Sequence, residues 1–158
     1  MNDNGRQFVL FRVGSEEYGL PIGNVSSIIR YEPATPVPRA PGAVDGVINL
    51  RGRVIPVVDL TRCLFGTAFT PTAHARIIVA ESEGSLVGLA VDGASEVASF
   101  PLSSVMPAPT SPLAAAAADV IAGVVRLGER LVILLDLDRV LPRGEYEIEG
   151  ADADVSEV

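Results

Sequence analysis

The chain has 158 residues, is 48% apolar and carries a formal charge of −8, a size that supports one hydrophobic core without disulfides or metals. No apolar run reaches the roughly 18–20 residues of a membrane helix, and MNDNGRQ lacks a charged-then-apolar leader, so a cytoplasmic protein without direct membrane insertion is expected. All twelve cations are Arg, which excludes chemistries that need a Walker-A, Schiff-base or biotin-attachment lysine. Six uncompensated acids, Glu145, Glu147, Glu149, Asp152, Asp154 and Glu157, load the tail and leave a body near about −2, which offers nothing to a phosphate backbone, so no nucleic acid is expected as a partner.

In chain order, short strands are predicted at 7–13, 44–50, 53–58, 76–81, 86–91, 121–127 and 131–135, all runs rich in Val, Ile and Leu bounded by Gly, Pro, Ser or Asp. Helical turns are predicted at 23–27, 60–64 and 137–141, the last two with Asp59 and Asp136 as N-caps. Gly128-Glu129 has the Gly-X signature of a type II′ hairpin, and Arg51-Gly52 should form the equivalent tip. Pro56 lacks an N–H, which predicts that its strand lies at a sheet edge or carries a bulge.

An internal repeat organises these elements. VDGVINLRGRVIPVVDLTRCL, from Val44, overlies IAGVVRLGERLVILLDLDRVL, from Ile121, with a constant offset of 77 and eight of 21 pairs identical. YGLPIGNVSSI, from Tyr18, overlies VGLAVDGASEV, from Val87, with an offset of 69. The difference is absorbed between Phe100 and Ile121, a stretch of Pro, Ser and Ala. Two similar halves follow, about 7–65 and 75–141, whose short strands suggest small barrels.

A search for chemistry finds little. One Cys, Cys63, and one His, His74, cannot supply the three or four ligands of a zinc site, and Cys63 sits among apolar neighbours that suit a core residue rather than a thiolate. Neither GxGxxG nor GxxxxGK occurs, so no cofactor is expected. Asp59, Asp92 and Asp136 are the remaining carboxylates for acid–base work. A small β-barrel enzyme or ligand carrier using Asp59 and Asp136 is therefore the rival to a binding module with no catalytic residues.

GVINLRGRVIPVVDL, from Gly46 to Leu60, preceded by EEYGLPI and TPVPRAP and followed by RIIVAESEGSLVGLAVDGASEV and GVVRLGERLVILLDLDRVL, closely resembles the CheW family. The resemblance runs over about residues 7–142 and leaves 143–158 as an acidic tail expected to be disordered. It implies a mainly β fold of two intertwined five-stranded SH3-like β-barrels related by pseudo-symmetry, with short helices and a shared core. It also implies a non-enzymatic chemotaxis adaptor that binds the regulatory domain of the CheA histidine kinase and the helical cytoplasmic tip of a chemoreceptor, recruited to receptor arrays. A stand-alone coupler is expected, since no receiver or kinase pattern accompanies the domain. Arg51, with Asn49 and Gly52 beside it, matches the coupling position of the family, while Val25, Ser27 and Ile28 match its receptor-facing groove. The family often carries Glu where this chain has Ser27, which puts a charge pair at that place in doubt. On their spacing alone, Val25 and Ile28 would also suit the core side of a short helical turn.

Overall fold

The computed structural model describes residues 6–40, 42–107 and 120–141. The acidic tail at 143–158 and most of the Pro/Ser/Ala stretch lie outside these residues. Among the described residues ten strands form: β1 (Arg6–Val13), β2 (Glu16–Pro21), β3 (Val25–Arg30), β4 (Val44–Leu50), β5 (Arg53–Asp59), β6 (Arg76–Ser82), β7 (Ser85–Val91), β8 (Gly93–Phe100), β9 (Ile121–Leu127) and β10 (Arg130–Leu135). Two short helices, α1 (Leu60–Phe65) and α2 (Leu137–Val140), follow β5 and β10.

The strands make two five-stranded sheets, ordered β8-β1-β2-β10-β9 and β3-β6-β7-β5-β4. These are the two SH3-like barrels, and each takes strands from both halves of the chain. The first places hairpin β1–β2 of the first half among three strands of the second; the other places hairpin β6–β7 of the second half among three of the first. The repeat is therefore a repeat of swapped parts, and neither barrel can close without both halves. Register repeats as well: Leu10 faces Gly19 in one hairpin, and Val79 faces Gly88 in the other, each shifted by 69. Irregularities recur at corresponding places, between Val44 and Gly46 in β4 and opposite Leu134/Leu135 in β9.

Alternation along these strands fills three cores. Phe8, Leu10, Val125, Val132 and Leu134 fill the first barrel, and their counterparts Ile77, Val79, Ile48, Ile55 and Val57 fill the second. The intervening side chains, Phe11, Val13, Tyr18 and Leu20 from one sheet and Ile78, Ala80, Leu89 and Val91 from the other, form a shared core between the barrels. A strand buried on both faces needs a continuous apolar run, which is why FVLF in β1 and IIVA in β6 do not alternate with polar residues. Each fully buried Leu, Ile or Phe here contributes about 1.5–3 kcal/mol.

The glycine common to both repeats has a steric cause. Thr35 and Val47 exchange backbone hydrogen bonds of 2.8 and 2.9 Å, and a Cβ on Gly46, at φ 151°, would lie 2.2 Å from the Thr35 carbonyl oxygen. Its counterpart Gly123 is approached by Val105 Cγ1 at 2.6 Å and the Met106 oxygen at 3.0 Å.

Three expectations from the sequence need correction. Residues 23–27 do not form a helical turn: a 3-10 turn covers Ile22–Asn24, and the chain then enters β3, where pairing with β6 governs its conformation. β5 is not an edge strand, since it lies between β7 and β4, and the irregularity in its ladder is opposite Val57/Val58 rather than at Pro56. Val47, which faces Pro56, spends its own N–H and C=O on Thr35, so β4 asks Pro56 for no donor. On the other side, parallel pairing with β7 begins only at Val57, whereas β10, with Ile133 in place of Pro56, pairs with β2 from Val132. The missing N–H delays the ladder by two residues and does not exclude the strand from the interior. Finally, the two Asp caps are unequal. Asp59 accepts a hydrogen bond from the Arg62 amide at 3.1 Å, but Asp136 makes no side-chain cap and pairs instead with Arg139 at 3.6 Å.

Candidate partner-binding surface

The β4–β5 hairpin ends in a tight turn with positive φ at both central residues, 55° at Arg51 and 86° at Gly52, the pattern of a type I′ turn. Arg51 tolerates a conformation that costs a residue with a Cβ about 1–2 kcal/mol. Asn49 offsets that strain: its Oδ1 accepts a hydrogen bond from the Gly52 amide at 2.9 Å and pins the turn. Asn49, Arg51 and Gly52 thus form one device that presents an exposed guanidinium in a fixed place. Gly128 holds the equivalent tip at φ 66° followed by an ordinary Glu129, as a Gly-X turn requires.

Val25, Ser27 and Ile28 lie on β3, at the edge of the same sheet opposite to β4. Val25 and Ser27 are half-buried, with Val25 packed against the shared core, while Ile28 is 42% exposed. The core explanation thus suits Val25 and fails for Ile28, whose side chain faces solvent from an extended strand. Exposed aliphatics recur at repeat-related positions: Val97 corresponds to Ile28, and Val54 and Leu131 correspond to each other. The repeat offsets would have found this pairing in the sequence, had exposure been known.

Sequence reasoning also missed an ion cluster on the first barrel. Arg130 donates from Nε to Glu17 Oε1 at 3.0 Å and from an Nη to Glu17 Oε2 at 3.1 Å and Glu96 Oε2 at 3.2 Å. These hydrogen bonds hold its guanidinium even more firmly protonated than usual. Glu96 is on edge strand β8 and Arg130 on β10, with β1 and β2 between them, so their contact reports how strongly the sheet bends upon itself.

The carboxylates raised as acid–base candidates have structural duties. Asp59, 3% exposed, accepts from the amides of Arg62 and Phe69, both at 3.1 Å, and lies 3.9 Å from the Arg62 guanidinium. Asp92 accepts from the Gly14 amide at 2.6 Å and ties β1 to the start of β8. Asp136 is engaged by Arg139. Each carboxylate of the proposed catalytic pair is held by its own arginine, which removes the physical basis for a shared acid–base cleft. Burial, followed by the Asp59 charge, pushes the Cys63 thiol above its ordinary pKa, the opposite of an activated nucleophile. His74 is exposed beside β6. Among the described residues, no group of three or more His, Cys, Asp or Glu could hold a metal ion, and no helix is long and apolar enough to cross a membrane.

Residues 7–145 match the family model for the CheW-like domain. The chain is 38% identical to the chemotaxis protein CheW of Rhizobium meliloti strain 1021, covering 93% of this chain and 94% of that one. It is 33% identical to the chemotaxis protein CheW of Klebsiella aerogenes, over 91% and 86% of the two chains. Its fold superposes with a TM-score of 0.78 on the crystal structure of scaffolding protein TtCheW from Thermoanaerobacter tengcongensis, at 29% identity and over 87% and 88% of the two chains. A duplicated β fold with swapped hairpins, a pinned Arg at a hairpin tip and relatives matched along nearly their whole length lead to one conclusion: the chain belongs to the CheW-like domain family.

Proposed function

We propose that the chain is a non-enzymatic chemotaxis adaptor that couples the cytoplasmic tips of chemoreceptors to the regulatory domain of the CheA histidine kinase, in the cytoplasm at receptor arrays. Residues 7–142 make up the adaptor domain, and 143–158 are an accessory tail that partner binding does not need. The observation that carries this reading is the exposed Arg51, held at φ 55° by the Asn49–Gly52 hydrogen bond. A strained, pinned turn that presents a donor fork to solvent has no use in the core and suits recognition of a partner. Ile28 adds an exposed apolar contact on the edge strand of the same sheet, with Val25 and Ser27 beside it. Together these residues form the receptor-facing surface. The kinase domain, being like-folded, docks on barrel surfaces elsewhere.

The test is co-purification of the full chain with a receptor cytoplasmic fragment and, separately, with the CheA regulatory domain. Capture of both supports the adaptor reading. Capture of neither, together with a melting shift caused by a small molecule, would favour a carrier instead.

A further inference from the structure

Arg53 and Arg130 are counterparts in the two barrels: each opens the second strand of its hairpin, and each faces a leucine across the turn, Leu50 and Leu127. Their surroundings differ in one respect. Arg130 is engaged by both Glu17 and Glu96. The repeat offset of 69 puts Leu86 at the position of Glu17 and Ser27 at that of Glu96. Register supports the second correspondence, because Glu96 faces Leu10 on β1 while Ser27 faces Val79 on β6, and Leu10 and Val79 are themselves equivalent. By strand order and register, Ser27 thus holds in the second barrel the place that Glu96 holds in the first. Arg53 is exposed and, among the described residues, forms no ion pair. Two residues upstream, Arg51 is likewise exposed without an ion pair there. The Arg-Gly-Arg tip is thus an uncompensated basic spot on a chain of net charge −8.

We infer that Arg53 is a specificity-determining residue of the partner surface, which takes a carboxylate from the receptor tip where the other barrel uses its own Glu17 and Glu96. A guanidinium already bonded within the molecule would have to surrender those bonds to bind a partner, whereas an open one does not. Its planar fork accepts a carboxylate at two points, as Arg130 does with Glu17. Val54 and Ile28, the chain neighbours of Arg53 and Ser27, are exposed aliphatics that add apolar surface to the same hairpin and edge strand. An acidic side chain flanked by aliphatics on a helical partner fits that pattern. The inference rests on the adaptor reading and adds to it the chemistry of the residue recognised.

The experiment compares binding of the full-length chain and its Arg53→Gln, Ser27→Glu and Arg130→Gln variants to a purified helical-hairpin cytoplasmic fragment of a chemoreceptor and, in parallel, to the CheA regulatory domain, at low and high ionic strength. Melting curves check that each variant is folded. Ser27→Glu restores the internal carboxylate and should capture Arg53 as Glu96 captures Arg130. Arg53→Gln and Ser27→Glu are each expected to weaken binding about tenfold at low salt, with the loss shrinking at high salt, while Arg130→Gln stays within about twofold of wild type. Wild-type affinity in both Arg53→Gln and Ser27→Glu would overturn the inference. So would a loss confined to binding of the CheA regulatory domain, since the carboxylate would then belong to the kinase. Failure of the wild-type chain to bind any receptor fragment would instead remove the adaptor reading, and this inference with it.

Discussion

The two barrels share strand order, register and ladder irregularities, yet they spend their polar side chains differently. In the first barrel Arg130 is locked by Glu17 and Glu96, and its hairpin turns through an unstrained Gly128. In the second, Arg53 is open, and the tip turns through Arg51 at φ 55° with Asn49 as its brace. Buried Asp59 organises α1 and the Phe69 amide in the second barrel, while Asp136 does no such work in the first. One backbone plan thus carries a hairpin tip whose Arg130 is bonded within the molecule and a tip whose Arg51 and Arg53 form no ion pair among the described residues.

The largest effect expected from this comparison is at the repeated glycines. Gly46→Ala drives a Cβ into the Thr35 carbonyl at a φ that side chains rarely adopt, and should cost about 3 kcal/mol or more, or abolish folding. Gly123→Ala meets the movable Val105 methyl first and should cost about 1–3 kcal/mol. Thermal unfolding of the two variants should rank them in that order, and the reverse ranking would break the close-approach account of Gly46. Asp59→Ala removes two amide hydrogen bonds and should cost about 2–3 kcal/mol by urea denaturation, against under about 1 kcal/mol for Asp136→Ala. Equal losses would mean that the caps are equivalent after all.

Gly128→Val forces a β-branched residue to φ 66° and should lower stability by about 1–2 kcal/mol, whereas Arg51→Gly relieves strain at φ 55° and should raise it by up to about 1 kcal/mol. An unchanged melting temperature in both would show that the turn conformations are not what distinguishes the tips. The smallest effect is chemical: burial and the Asp59 charge raise the Cys63 pKa, so less thiolate is present at a given pH than for a free cysteine. Alkylation at pH 8 should be slower than for a free cysteine and should accelerate only above the usual thiol range.

Much of this frame was legible in the sequence, because apolar runs report strands and the repeat reports their equivalence. β4 and β9 follow their apolar runs from end to end. β2, β3 and β8 were not foreseen. EEYGLP, VSSIIR and GASEVASF are too polar or too rich in Gly and Ser to stand out, and their strand character comes from neighbours: β2 pairs on both sides, and β3 and β8 dock on β6 and β1. Pro56 misled for a related reason, since local chemistry forbids a donor but cannot reveal that Val47 is already bonded to Thr35. At the candidate site, the Arg51-Gly52 tip could be read from turn chemistry and family resemblance. Arg53 could not, because its significance depends on which carboxylates surround Arg130 in three dimensions.

The central claim, that an exposed, braced Arg51 couples receptor to kinase, is tested most directly by kinase activity in a mixture of receptor fragment and CheA, without the chain, with it, and with its Arg51→Ala variant. Arg51 is exposed, so truncation should cost on the order of 0.5 kcal/mol of stability, and the variant should remain folded. An Arg at an interface typically contributes about 2 kcal/mol or more, roughly thirtyfold in affinity. The account therefore predicts receptor-controlled kinase activity with the wild-type chain and its loss with Arg51→Ala, and Arg51→Lys should share the defect if the planar fork matters. Receptor control restored as fully by Arg51→Ala as by wild type would contradict it.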